Sequence, residues 1–183
     1  MKQTNQLLGE YGTTIFTTMS ALAVEFNAIN LGQGFPDSNG PDDILDEAVR
    51  AIKYESNQYP SMMGIKELRE ATAKHSKNFY DIDLDWENQT MITAGATEAI
   101  ASSLFGLINP GDEVIMIEPL YDCYLPMVRR AGGVPKLVRI EPPNWQLPYE
   151  ELEATFSPKT KLIILNSPTN PAAKVYKLQE LEF

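Results

Sequence analysis

From residue 90 onward the chain alternates short apolar runs with stretches of helical character, and no other feature restricts the fold as much. TMITA is a β-prone run, and TEAIASSLFGLI behind it has helical spacing. VIMI is followed by YDCYLPMVRRAG, and GVPKLVRI, PYEELEATFS and KLIILN continue the series. Short apolar runs bounded by turn formers read as strands, and helical segments between them carry the chain back so that successive strands lie parallel. The pattern predicts an α/β fold with four short strands, in TMITA, VIMI, GVPKLVRI and KLIILN. Their mostly parallel sheet is expected to be covered on both faces, a three-layer α/β/α arrangement. The helix in YDCYLPMVRRAG is expected to be interrupted near Pro126.

Before residue 90 the pattern differs. Residues 1–35 mix threonine, glycine and apolar residues, with one short helix expected near Met19 to Asn27. They run into INLGQGFPDSNGP, whose glycines and prolines forbid long regular structure. Asp42 to Glu55 places Ile44, Leu45, Ala48, Val49 and Ile52 at helical spacing, behind Pro41 and an acidic first turn. NQYPSMMG reads as a loop, and Ile65 to Tyr80 as a second helix with Ile65, Leu68, Ala71 (or Thr72) and His75 along one side. The expected organisation is an N-terminal arm over 1–35 and one domain body over 36–183, without internal repeats.

Composition narrows the function. A chain of 183 residues, 43% hydrophobic, can bury one sizeable core. Its formal charge of −10, with no cluster of Lys and Arg, argues against a nucleic-acid partner, whose phosphates it would repel. No apolar run approaches the ~18 residues of a membrane span, so no membrane partner is expected. The start, MKQTNQLLGE, lacks the apolar centre of a signal peptide. The single cysteine, Cys123, cannot form an internal disulfide. Together these features predict a cytoplasmic location. The single histidine, His75, lies in the charged stretch KELREATAKHSKNFY and is expected on the surface, outside any triad or metal site.

In an open α/β sheet, ligands bind beyond the C-terminal ends of the strands. In TAGATEAI a strand would end at a tight Gly95 turn and a helix begin near Ala96 or Thr97. The unpaired N–H groups of such a start attract phosphate; an ordinary βα turn would also want the glycine. In EPLYDCY, Tyr121 stands where its ring could stack on a flat ligand, or could pack with Tyr124 against the sheet. In NSPTNP, Asn166 and Asn170 offer amides in a loop stiffened by Pro168 and Pro171; a plain turn also uses these residues. Gly32 and Gly34 in NLGQGFPD would let backbone approach a ligand, or simply bend. Neither GxGxxG nor GxxxxGK[ST] occurs, so dinucleotide and P-loop readings get no support.

Taken in order, NLGQGFPD, NQYPSMMG, TAGATEAI, GDEVIMIEPLYDCY and NSPTNPAAKV resemble the class I aminotransferases, fold type I enzymes that use pyridoxal 5′-phosphate (PLP). Within them the chain is most similar to the branch of kynurenine aminotransferase, glutamine transaminase K and the methionine-type aminotransferases. The likeness runs from about residue 12 to about 178. It implies amino-group transfer between an amino acid and a 2-oxo acid, on a PLP-dependent transferase-like large domain. It implies that Ala96 and Thr97 hold the PLP phosphate, Tyr121 stacks on the ring, and Asn170 bonds the ring hydroxyl with support from Asn166. Gly34, with Asn170, would line the substrate carboxylate site. Tyr59 would reach the phosphate of a neighbouring subunit, which makes a homodimer the expected form. The family's Schiff-base lysine, pyridine-binding aspartate, ring-hydroxyl tyrosine and carboxylate-binding arginine belong downstream of the NP turn, and this sequence has none in those settings. The resemblance therefore implies a truncated large domain, an N-terminal half without a catalytic residue and inactive alone. A non-catalytic fragment or half of a split protein is an alternative, and a PLP-dependent carbon–sulfur lyase another. Ala172 and Ala173 stand where the family commonly has glycine, which fits only if φ there is negative. The amino-acid substrate is not specified by these residues.

Overall fold

A computed structural model describes residues 5–34, 36 and 38–183. Backbone contacts divide the chain into two compact units. One is Thr13–Ala94; the other is Gly95–Phe183 together with the residues through Gly12. The 35/36 boundary expected for the arm falls inside the first of these.

The Thr13–Ala94 unit is helical. Helix α1 spans Ile15–Glu25, four residues ahead of the expected start, because the Thr14 side chain caps it by accepting the Thr17 N–H. Helix α2 spans Asp42–Tyr54, with Asp42 and Asp43 in its first turn and Lys53 in its last, each sign matched to the helix dipole. Helix α3 spans Lys66–Tyr80 and ends on Asp81 in the left-handed conformation. His75 stacks on Phe79 and stays exposed. The buried residue of α3 is not apolar. Arg69, 7% exposed, donates to the carbonyls of Thr90 and Glu87 at 2.9 and 2.5 Å. Its guanidinium also lies over Trp86, in the short helix α4, Trp86–Gln89. Those bonds pin the TMITA segment, which is not a strand. A lone strand leaves its backbone groups unpaired, and among the described residues no strand lies beside this one: Ile92 N–H goes instead to the Met63 carbonyl. Gly64 makes that approach possible; at φ +99°, a Cβ there would stand 2.7 Å from Ile92 Cβ.

The second unit holds a three-stranded, all-parallel sheet of order β2-β1-β3, with β1 at Glu113–Glu118, β2 at Val134–Arg139 and β3 at Thr160–Ile164. Among the described residues three strands form, not four. β1 is central and buried along its middle, so its run is apolar throughout and the two faces separate by alternation. Val114 and Met116 pack with Leu104, Ile108 and Val128 of helices α5, Ala96–Leu107, and α6, Tyr124–Arg130. Ile115 and Ile117 pack with Val138, Ile140, Leu147, Tyr176 and Leu152, the last from helix α7, Tyr149–Thr155. This is the three-layer α/β/α fold. Pro126 does not interrupt α6. It lies in the first turn, where a missing N–H has no partner to lose. The N-terminal residues join this unit through Arg129, which donates to Glu10 and to the Tyr11 hydroxyl at 2.8 and 2.9 Å. Helix α8, Leu178–Glu182, closes the chain.

Candidate cofactor site

Helix α5 carries the first candidate residues. Its C-terminal Ile108 lies against Gly133, just before β2. That end is therefore at the N-terminal end of the sheet. Twelve residues at about 1.5 Å each give ~18 Å, nearly the length of a six-residue strand. The start of α5 thus comes level with the strands' C-terminal ends. Gly95, at φ +86°, is its N-cap and has no side chain to satisfy the first turn. Ala96 and Thr97 follow, exposed, among the N–H groups a helix leaves without an intrahelical partner. A small-residue helix start suits an anion.

Beyond β1 the chain enters Glu118-Pro119-Leu120-Tyr121. Tyr121 is half-buried, its ring 5.8 Å from that of Tyr124 in an edge-on arrangement. Beyond β3 comes the Asn166–Asn170 turn. Asn166 Oδ1 accepts the Asn170 N–H at 2.8 Å, and the Asn166 carbonyl accepts the Thr169 hydroxyl at 2.9 Å. The Ser167–Pro168 and Asn170–Pro171 peptides are cis. Thr169 is buried, and Asn170 is exposed beside it. The two loops meet around a narrow crevice of ≈ 10 Å³, lined by Leu120, Tyr124, Asn166, Thr169, Asn170 and Tyr176, among others.

The structure therefore brings Asn166 and Asn170 together and sets Tyr121 one ring away, through Tyr124. Tyr124, Thr169 and Tyr176 went unrecognised as site residues. Tyr124 had the signal of a second aromatic three residues after Tyr121, but that spacing serves packing equally well. Gly34 and Tyr59 belong to the other unit, where both are exposed, Tyr59 at 98%. Ala173, expected at negative φ, has φ +54°: its N–H is bound to the Thr169 carbonyl at 2.6 Å, and this bond holds the alanine left-handed.

The chemistry on offer is binding and orientation. Burial pushes the Tyr124 phenol and the Cys123 thiol up from their ordinary values, so Cys123 is not poised as a thiolate nucleophile. No group of three or more His, Cys, Asp or Glu suited to a metal gathers among the described residues. A helix start, aromatic rings and the Asn166–Asn170 turn stand beyond the C-terminal ends of the strands.

Comparison with known proteins gives a consistent picture. The family model for aminotransferase class I and II matches residues 27–182. Methionine aminotransferase of Escherichia coli is 42% identical over 170 residues, 93% of this chain and 44% of the relative. A kynurenine–oxoglutarate transaminase of Dictyostelium discoideum is 35% identical, over 94% of this chain and 43% of its own length. Among solved structures, YbdL from Escherichia coli, reported with a methionine aminotransferase function, matches with TM-score 0.94 and 39% identity. That match covers 100% of this chain and 48% of the other. The chain thus spans about half the length of the relatives it matches.

Proposed function

The chain belongs to the class I and II aminotransferases, and from that membership we propose that its residues form one side of a PLP site for amino-group transfer between an amino acid and a 2-oxo acid. The bound cofactor would supply the electron sink that stabilises negative charge at the substrate's Cα. Ala96 and Thr97 would hold its phosphate at the start of α5. Tyr121 would cover one ring face, and Asn170, oriented by Asn166, would donate to the ring hydroxyl and the substrate carboxylate. Gly34 would leave room for that carboxylate. Tyr59, almost wholly exposed, would serve the phosphate of a second subunit in a homodimer. None of these groups moves a proton at the reacting carbon. That role, and the covalent hold on the cofactor, fall to a lysine outside residues 1–183. Residues 36–183 would then be the N-terminal portion of the cofactor-binding domain and 1–35 an arm.

The observation that carries this reading is the Asn166–Asn170 turn, in which Asn166 Oδ1 accepts the Asn170 backbone N–H and both residues line a crevice walled by the aromatic loop after β1. The test begins with the intact mass of the protein from its own cells, expected near twice 20.5 kDa. PLP titration followed by absorbance, and a transfer assay requiring a 2-oxo acid, come next. Residues 1–183 alone should transfer nothing. Pyruvate and ammonia released without a 2-oxo acid would turn the reading to a carbon–sulfur lyase. A whole protein that binds no PLP would end it.

A further inference from the structure

Behind the Asn170 turn lies an ion pair for which the proposed chemistry has no use. Lys174 Nζ stands 2.7 Å from Glu180 Oε1, and the two side chains are only 9% and 10% exposed. The other carboxylate oxygen accepts the Lys177 N–H at 2.8 Å, closing the first turn of α8 as a capping box. Leu147 lines the same pocket wall as this carboxylate. On the lysine side, the ammonium lies 5.0 Å from the ring of Tyr176, a core residue that also lines the crevice. The Lys174 carbonyl accepts the N–H of Thr169 at 2.8 Å, and Thr169 immediately precedes Asn170.

We infer that the Lys174–Glu180 pair is a clamp that sets the direction of the Asn166 and Asn170 amides, which makes both charged groups positioning residues for the ligand those amides hold. An exposed ion pair at such a turn would do little. Here both side chains are mostly covered, on the wall of an open pocket, and losing either leaves the other poorly solvated and unpaired. Helix α8 has five residues, too few to stand by itself. Glu180 therefore keeps its place through its bonds to Lys174 and Lys177. Residues 169–174 form a loop closed by two backbone bonds, Thr169 N–H to the Lys174 carbonyl and Ala173 N–H to the Thr169 carbonyl. Swinging Asn170 away from Asn166 means opening that loop, and Lys174 is fixed at its far side. A plain surface turn would need only the prolines; this one is tied to the core through Tyr176, whose N–H also bonds the Ser167 hydroxyl.

The inference rests on reading Asn170 as a cofactor ligand, and two independent readouts separate the two claims. In the full chain, Glu180→Gln and Lys174→Met are compared with the conservative Lys174→Arg. Amide hydrogen exchange at Thr169 and Asn170 should quicken about ten-fold in the first two, the equivalent of one net hydrogen bond. Exchange in β1 at Ile115 and Met116 should not change. The dissociation constant for PLP should rise about ten-fold in the same two variants. That for inorganic phosphate, held at α5, should stay fixed. Lys174→Arg should restore wild-type behaviour in both readouts. If Glu180→Gln does not fold, Glu180→Asp keeps the charge and withdraws it by one methylene, and carries the same measurements. Unchanged exchange at Thr169 and Asn170 overturns the clamp, as does an equal loss of protection in β1. A wild-type protein that binds no PLP refutes the cofactor reading alone, while exchange still decides the clamp.

Discussion

Ala173 offers a test in which two neighbouring residues should respond with opposite sign. Its φ is +54°, and the N–H bond to Thr169 holds it there. A side chain in this region costs roughly 1–2 kcal/mol, because Cβ crowds the next carbonyl oxygen. Glycine removes the crowding but loses about 0.4–1 kcal/mol through the greater freedom of its unfolded chain. The difference predicts that Ala173→Gly stabilises the Gly95–Phe183 unit by roughly 0.5–1 kcal/mol. Ala172 is not among the residues with positive φ. There glycine relieves nothing, and Ala172→Gly should destabilise by about 0.4–1 kcal/mol. For a unit near one hundred residues, 1 kcal/mol moves the thermal midpoint by about 4–8 °C, so the two variants should melt some ~5 °C or more apart, on either side of the parent. Urea titration gives the same comparison at constant temperature. Equal signs in the two variants would refute the conformational argument, whatever their size.

Arg69→Met leaves the Thr90 and Glu87 carbonyls without their donor and should destabilise the Thr13–Ala94 unit by about 3 kcal/mol in urea. Arg69→Lys should recover only part of this, since an ammonium lacks the planar fork that reaches both carbonyls. Gly64→Ala should cost about 2 kcal/mol or more, through the contact with Ile92 and the positive φ together, and should lower the denaturant midpoint. Glu180 is held below its ordinary value, first by the Lys174 hydrogen bond and against the pull of burial. A depressed carboxyl contributes stability that is complete above its unfolded value, about 4.3, and lost as pH falls through its lower folded value. Unfolding midpoints measured across that window should fall more steeply with acid in the wild type than in Glu180→Gln.

Much of the second unit was legible because one rule sufficed for it. VIMI is apolar at every position, and a central strand covered on both faces requires that. Helix α2 announced itself by Pro41, the acidic first turn and its apolar spacing, and α3 by the spacing of Ile65 and Leu68. TMITA misled because β-propensity is a statement about side chains, whereas a strand needs a neighbour's backbone. Here that backbone is absent among the described residues, and Arg69 and Met63 take up the bonds instead. Arg69 itself was invisible as a core residue, since a charge in a polar helix reads as solvated until Trp86 and two carbonyls surround it. The candidate residues around Asn170 were found through a motif. Lys174 and Glu180, six apart across a turn, have no spacing rule to reveal them.

The parallel sheet has two unequal margins. Val134 and Ile140 donate their N–H groups to the Asp112 and Glu118 carbonyls beside β1. Even-numbered residues of β2 therefore look inward, and Pro135 looks outward, deleting a donor from the free margin. Lys136 and Arg139 add charge to the same strand. β3 has no proline, and its outer margin is unpaired among the described residues. Any extended peptide that adds to this sheet will do so along β3, so growth and self-association share one polarity, with β2 as the blunted end.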